Sequence, residues 1–476
     1  MNILSSRRSF LASAAAFSLA GCRSAFFDPL AGTPRLKFGV LSDIHITVPE
    51  STVVFLNALR YFRDNGVDAV LIAGDMADHG LMPQLQNVAD AWFKVFPNDR
   101  APDGRKVERL FVYGNHDPEG LHYRDKAMDT QFARHHLTYE EADRIQLSKI
   151  GLGKAWEQVF HEAYAPVYRK IVKGYDFIGG HWDPANGSAW GKGPDIRPMF
   201  QSLGGKLDPA QPFFYFQHPH PKDTVCGPWA WGHDAGISTQ VLSNYPNAFA
   251  FSGHSHTTLT DEHSLWCGAF TSVGTASLSY TCVQGPRENR NELVTMAREG
   301  LETQAQVAQG QLVSVFEDRV VLERRDFVRN ENLDEAWCVE LPAESRPFSA
   351  RAAKSVPPQF AAGAKVSVKR VRKDKKDVGT VQVAFPPAVA DRRTRPYDYE
   401  IGVEFRQQDV ERVHFARRVF SPTVALAKGR DAERREVVHV FAGKEFPEGA
   451  EYRVCVTPLN CWAQKGAPIA TDWMRV

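Results

Sequence analysis

The chain has 476 residues, of which 43% are hydrophobic and 24% charged, so it is long enough for two or three globular domains. Its 57 basic and 56 acidic residues give a net charge of +1, and no nucleic acid is expected as a partner. No stretch after residue 21 is both long and apolar enough to cross a bilayer.

Residues 1–22 predict an export signal. Arg7 and Arg8 lie in the run SRRSFL, which resembles the twin-arginine signature, and the apolar run LASAAAFSLA follows. That run ends in Leu-Ala-Gly-Cys, which resembles the lipobox of bacterial lipoproteins. The resemblance implies cleavage before Cys22, a lipid anchor on this cysteine, and a place on the periplasmic side of the bacterial cell envelope. The alternative is an ordinary basic N-terminus with an incidental cysteine.

Residues 36–328 predict an α/β catalytic domain. Two amphipathic helices, over residues 52–65 and 83–96, alternate with apolar runs, and this rhythm predicts a partly parallel sheet with flanking helices. A polar, helix-leaning insertion at 118–175 is expected to overhang the sheet edge and influence substrate choice. The buried strands are predicted by five apolar runs: LKFGV, DAVLIA, RLFVY, PFFYF and FAF.

The rest of the chain predicts a second domain. Residues 329–362 hold several prolines and little periodicity, which indicates a linker. Over residues 363–476, short alternating runs predict an all-β sandwich without chemistry of its own. Its last strand resembles the closing strands of a fibronectin type III domain, although residues 363–450 contain no tryptophan, which that family usually packs in its core.

A polar motif directly follows each of the five apolar runs. Ligands gather beyond the carboxyl ends of strands in α/β sheets, so five loops are expected to converge on one edge. Together they offer carboxylate, amide and imidazole groups, a set that suits divalent transition metals. The motifs and their polar residues are LSDIH with Asp43 and His45, GDMADHG with Asp75 and Asp78, GNHD with Asn115 and His116, QHPH with His218, and GHSH with His254 and His256.

In this order the motifs resemble those of the calcineurin-like metallophosphoesterases, over roughly residues 36–327. The resemblance implies a metallophosphoesterase core, in which a β-sandwich has flanking helices, and a dinuclear metal site. It places one metal on Asp43, His45, Asp75 and His256, and the other on Asp75, Asn115, His218 and His254. Mn, Fe and Zn all accept these ligands.

The same resemblance implies a mechanism. Asp75 would bridge two divalent transition metal ions, and a hydroxide shared by them would attack phosphorus in line. His116 would protonate the leaving oxygen or stabilise the transition state, and Asp78 would orient His116. The alternative for Asp78 is a helix cap or Asx-turn in a glycine-bounded loop.

The substrate is expected to be a small phosphate ester or diester. Ser/Thr protein phosphatases carry arginine where this chain has His79, so a protein substrate is disfavoured. A phosphodiesterase is favoured, and the alternatives are a phosphomonoesterase or nucleotidase, or an envelope binding or scaffold protein with a vestigial metal core. The presence of every expected ligand disfavours the scaffold.

The triplet His181–Asp183 is expected to serve packing rather than substrate contact. The oligomeric state is left open.

Overall fold

The structure is a computed structural model. It describes residues 28–123, 137–186, 192–228, 230–283, 294–297, 307–372, 378–390, 394–407, 410–428, 430, 436–446 and 449–475. The export signal with Arg7, Arg8 and Cys22 therefore lies outside the described residues, as does part of the 118–175 insertion.

The secondary structure of the described residues comprises helices and strands numbered here in chain order. The helices are α1 (Val53–Asp64), α2 (Met82–Val95), α3 (His116–Glu119), α4 (Tyr139–Arg144), α5 (Leu147–Ile150), α6 (Leu152–Phe160), α7 (Arg197–Leu203), α8 (Ile237–Leu242) and α9 (Phe348–Ala352). The strands are β1 (Leu36–Leu41), β2 (Ala69–Ala73), β3 (Glu108–Val112), β4 (Val167–Val172), β5 (Tyr175–Gly180), β6 (Phe213–Phe216), β7 (Ala248–Ser252), β8 (Leu265–Cys267), β9 (Thr271–Gly274), β10 (Val294–Ala297), β11 (Gln309–Val315), β12 (Arg319–Asp326), β13 (Glu331–Asn332), β14 (Trp337–Glu340), β15 (Ser367–Val371), β16 (Thr380–Phe385), β17 (Asp398–Gln407), β18 (Val410–Phe420), β19 (Val437–Ala442), β20 (Glu451–Leu459) and β21 (Ile469–Ala470).

Two mixed sheets form the catalytic core. The first has the order β13-β12-β11-β1-β2-β3, with β14 also on β12, and the second has the order β4-β5-β6-β7-β9-β8. Strands β1, β2 and β3 are parallel, as are β5, β6, β7 and β9. Every residue of β2, β6 and β7 is buried, which is the pattern of strands covered on both faces.

Aromatic side chains join the two sheets. The ring of Phe38 on β1 lies 5.2, 4.8 and 5.7 Å from the rings of Phe177, Phe214 and Phe251 on the second sheet, in edge-to-face contacts. Helices α1, α2 and α6 share a second buried cluster with the first sheet, and α7 and α8 share another with the second sheet. The predicted α/β core with flanking helices is confirmed.

The first helix is close to its predicted range. The sequence predicts residues 52–65, and α1 spans Val53–Asp64 with Phe55, Leu59 and Phe62 buried on one face. Gly66 ends the turn after the helix with a φ of 71°, in the left-handed region that glycine adopts without strain. Helix α1 thereby returns the chain to β2, which carries the next polar motif.

Two strands lie within the range expected as a linker. Strand β14 pairs with β12 and places Val339 opposite Val320, and β13 pairs with the other end of β12. Trp337 and Val339 are buried while Cys338 and Glu340 are less so. This alternation is only four residues long, and β12 provides the partner that makes it a strand.

The C-terminal region forms two further sheets, with the orders β10-β18-β17-β20-β21 and β15-β16-β19. Nearly all their pairings are antiparallel, and one buried cluster contains residues of both sheets. Strand β10 precedes β11 in the chain and pairs in parallel with β18, so the segment before β11 contributes to this region. The limits of the domains and the fibronectin-like character remain predictions.

The C-terminal region holds the loop that follows GHSH. The Tyr397 hydroxyl lies 3.2 Å from Oδ2 of Asp261, and the ring of Trp462 lies 4.3 Å from that of His263. The Gln309 side chain donates to the carbonyl of Ala425 at 2.7 Å and accepts from the backbone N–H of Leu259 at 2.8 Å. Both regions therefore fix the loop that begins beside the last two candidate ligands.

We expect Trp462→Ala to weaken this loop. Loss of a partly buried indole should lower the free energy of unfolding by about 2 kcal/mol and reduce metal retained after dialysis. Trp473→Ala is the matched control, because Trp473 contacts Arg406 with that guanidinium 4.8 Å from its ring centre. Thermal unfolding and metal analysis provide the measurements. Equal metal retention in the two variants would show that the C-terminal region does not support the site.

Candidate metal centre

The seven expected metal ligands meet at one edge of the core. Each follows the carboxyl end of β1, β2, β3, β6 or β7. Donor atoms of Asp43, His45, Asp75 and His256 lie within 4.8 Å of one another, and so do those of Asp75, His218 and His254. Asp75 belongs to both groups, as a bridging carboxylate must, and Asn115 is buried directly after β3. The structure thus brings together the residues of five separate loops.

The backbone around these residues is unusual. Five of the seven have a positive φ, which costs a residue other than glycine about 1 kcal/mol or more. These conformations lie in the loops whose polar side chains cluster at the site. These residues are Asp43 at 51°, His45 at 48°, Asp75 at 53°, His254 at 68° and His256 at 55°.

Glycine precedes three of the ligands because their neighbours leave no space for a side chain. A Cβ on Gly114 would collide with Oδ1 of Asp75, and one on Gly253 would collide with Oδ2 of Asp43. A Cβ on Gly74 would lie 2.5 Å from Nδ1 of His218. The glycines of the GD, GN and GH motifs therefore let the backbone of one loop touch the ligands of another.

Hydrogen bonds orient the imidazoles. The Nδ1 atom of His45 lies 3.0 Å from Oδ1 of Asp78, that of His218 lies 2.8 Å from the carbonyl of Ala73, and that of His256 lies 2.9 Å from the carbonyl of Tyr280. An Nδ1–H donated to these oxygens leaves Nε2 as a bare lone pair, which is the usual arrangement of a metal-binding histidine.

Charge interactions in the site are strong. Burial acts to raise the pKa of Asp43, but His256, with Nε2 at 2.9 Å from Oδ1, and His218 together lower this pKa to about 2. Burial acts to lower the pKa of His218, but the Asp75 carboxylate at 3.1 Å raises it to about 9. Burial together with the charge of His218 lowers the pKa of His254 to about 3.

These observations fit a pair of cations. The Nε2 atoms of His45 and His256 are 3.4 Å apart, and Nδ1 of His254 lies 3.1 Å from Nε2 of His218, so lone pairs face each other unless a cation or proton lies between them. Within the described part of the chain, Oδ1 of Asn115 is buried without a hydrogen-bond partner. A divalent metal would satisfy these donors and replace the proton that stabilises His218 beside Asp75.

His116 and Asp78 have different contacts from the expected pair. The Asp78 carboxylate contacts Nδ1 of His45 at 3.0 Å, and its Oδ1 is 3.9 Å from Nδ1 of His116. It is the backbone carbonyl of Asp78 that accepts from Nδ1 of His116, at 2.8 Å. Asp78 therefore orients a metal-binding imidazole through its carboxylate and His116 through its backbone, which leaves Nε2 of His116 for proton transfer.

Other histidines near the motifs are structural. His220 lies between the hydroxyls of Ser252 and Ser255, at 2.7 and 2.6 Å, and is buried. His181 is buried, accepts from the Tyr113 N–H at 3.1 Å, and has its pKa lowered to about 3 by burial and by Lys170. These contacts of His181 agree with the expectation that the triplet His181–Asp183 serves packing.

The sequence reasoning missed Asp117. This buried carboxylate accepts backbone N–H bonds from Ala77 at 2.8 Å, Gly114 at 2.7 Å and Met76 at 3.3 Å, and so ties the GNHD loop to the GDMADHG loop. Burial and the nearby Asp75 raise its pKa to about 7. Asp117 is the final residue of the GNHD motif, and this position is the sequence feature that could have identified it.

Comparison with known proteins defines the class. Residues 36–258 match the sequence profile described as Calcineurin-like phosphoesterase. These residues form a calcineurin-like phosphoesterase domain, whose two candidate metal positions are described above. The protein is accordingly a metal-dependent phosphoric ester hydrolase. No curated protein sequence matches the chain significantly.

Three solved structures are similar to parts of the chain. A dimetal phosphatase from Danio rerio is 14% identical with a TM-score of 0.36, and the alignment covers 64% of this chain and 99% of that one. Purple acid phosphatase PPD1 from yellow lupin seeds is 11% identical with a TM-score of 0.36, and the coverages are 66% and 54%. GAP50, the anchor in the inner membrane complex of Plasmodium, is 10% identical with a TM-score of 0.37, and the coverages are 66% and 90%.

A pair of variants can distinguish the role of Asp75 as a metal ligand from the role of His116 in proton transfer. Asp75→Asn should lower the metal content below two ions per chain and reduce hydrolysis about 100-fold, because one carboxylate serves both metal positions. His116→Ala should lower kcat about 100-fold with near-normal metal content, because His116 is not among the seven expected metal ligands. Metal analysis beside steady-state kinetics is the measurement. Loss of a metal from His116→Ala would contradict this division.

Proposed function

We propose that the protein is an exported phosphoesterase that hydrolyses small phosphodiesters. The observation that carries the proposal is the buried double cluster of carboxylates and imidazoles sharing Asp75. When bound there, two divalent metals would lower the pKa of water and neutralise charge on the phosphoryl oxygens. The vestigial-core alternative is disfavoured because the chain retains all seven expected ligand residues.

The chain's own residues would supply positioning and a proton. His116 has a side chain 21% exposed, whereas those of His45 and Asp75 are 4% and 2% exposed, so it is the more accessible group beside the metal positions. Its Nδ1–H donates to the carbonyl of Asp78, so a protonated His116 would have an Nε2–H to donate to the leaving oxygen.

The charge of the site favours a diester over a monoester. Among the described residues, the ion-pair partners of Asp43 and Asp75 are histidines rather than lysines or arginines. A monoester dianion calls for more compensating charge than a diester monoanion. His79, at the position of the arginine in protein phosphatases, is fully buried and lies 3.1 Å from the Gln84 amide. Phosphomonoesterase or nucleotidase activity is the second candidate.

A matched pair of substrates tests the proposal. Metal-loaded protein should hydrolyse bis(p-nitrophenyl) phosphate with a kcat/KM at least about 10-fold above that for p-nitrophenyl phosphate, a difference of about 1.4 kcal/mol in transition-state stabilisation. The reverse preference would favour the monoesterase. Failure to hydrolyse either ester with both metals bound would support a binding or scaffold role instead.

The proposed site of action is the periplasmic side of the envelope, supported by the twin arginines and the LAGC run. Cys22→Ser should prevent lipid attachment and shift the protein from the membrane to the soluble fraction. Arg7→Lys with Arg8→Lys should block export. Fractionation of cells expressing each variant measures this, and unchanged membrane association of Cys22→Ser would refute the anchor.

Among the described residues, no helix has the length and apolar character needed to span a bilayer.

A further inference from the structure

Two large aromatic side chains beside the metal centre are exposed. Trp231 is 56% exposed and Tyr280 is 46% exposed, while the nearby Trp182 is 1% exposed. Leaving rings of this size in water forgoes the stabilisation that burial of apolar surface provides. Because both rings lie next to candidate catalytic groups, they offer apolar surface that a bound ligand can cover.

Each ring lies against a different candidate metal group. The ring centre of Trp231 is 5.1 Å from that of His254, which clusters with His218 and Asp75. The ring centre of Tyr280 is 4.2 Å from that of His256, which clusters with Asp43 and Asp75. The two rings thus border opposite ends of the dinuclear site.

Both rings have anchored backbones. On one side of Trp231, the Gly232 carbonyl accepts from the N–H of His220 at 2.7 Å, and Asp234 donates its N–H to the carbonyl of His220 at 2.7 Å. Tyr280 donates its N–H to Oγ of Ser277 at 3.1 Å, and its carbonyl accepts from His256. The backbone at or beside each ring is therefore fixed before a ligand arrives, which limits the entropic cost of binding.

We propose that Trp231 and Tyr280 are binding walls for a planar aromatic group carried by the phosphate ester. The inference rests on the proposed function, because the phosphoryl group must lie on the metals for an attached ring to reach either wall. Trp231 has the larger face and the greater exposure, so it is the principal wall. Stacking of a planar ring on an aromatic side chain is strong enough to change affinity about 10-fold or more.

Binding of two non-hydrolysable anions tests the walls. Calorimetric titration of metal-loaded protein should give phenylphosphonate an affinity about 10-fold above cyclohexylphosphonate, since only the planar ring stacks. Trp231→Ala should remove this preference and Trp231→Phe should keep most of it. Tyr280→Ala should reduce the preference by a smaller factor, and Tyr280→Phe should preserve it. Ile171→Ala should change neither affinity.

Ile171 is a suitable control, because it is 58% exposed and lies near the far end of β4, opposite Asp176 at the start of β5. A preference for the phenyl ligand that survives in the Trp231→Ala, Tyr280→Ala double variant would overturn the inference. Hydrolysis of methyl p-nitrophenyl phosphate by the same preparation reports the proposed function separately. Hydrolysis without the binding preference refutes the aromatic walls, and the preference without hydrolysis refutes the proposed function.

Discussion

The buried Asp75 carboxylate is the interaction around which the site is organised. Its oxygens contact Nε2 of His218 and the backbone N–H of His116, and its donor set overlaps both metal groups. Desolvation of a carboxylate is costly, and neighbouring positive charge must compensate it. The imidazoles do so partly, and two cations would do so more fully. Metal binding and the stability of this edge of the core are therefore coupled.

The site is built at a cost in backbone energy. Left-handed conformations at ligands such as Asp43, Asp75 and His254 are retained because the sheets behind them are rigid and apolar. The edge-to-face rings of Phe38, Phe214 and their neighbours hold the two sheets together, so the carboxyl ends of strands from both meet at a fixed separation. The packing of the core thus compensates for the backbone strain of the ligand residues at its edge.

The C-terminal region has a structural role in the catalytic half. Its Tyr397 and Trp462 contact the loop that starts beside His256, and β10 joins its larger sheet. The sequence predicts that this region has no chemistry of its own, and we expect these contacts to limit the motion of the backbone after His254 and His256. Loops that carry ligands are commonly the least stable parts of a domain, and docking against a second region limits their motion.

The sequence by itself determined the element types of the core and the identity of the candidate ligands. Continuous apolar runs such as AVLIA, and the spacing of Phe55, Leu59 and Phe62, depend on local period and burial, which the chain order records. Tertiary structure decided the rest. The strand at Trp337–Glu340 exists because β12 offers it a partner. Asp78 contacts His45 through its carboxylate and His116 through its backbone carbonyl, because loops distant in the chain meet there. The exposure of Trp231 also depends on residues distant in the chain. Contacts between distant segments depend on how whole sheets pack, and no local pattern encodes that geometry.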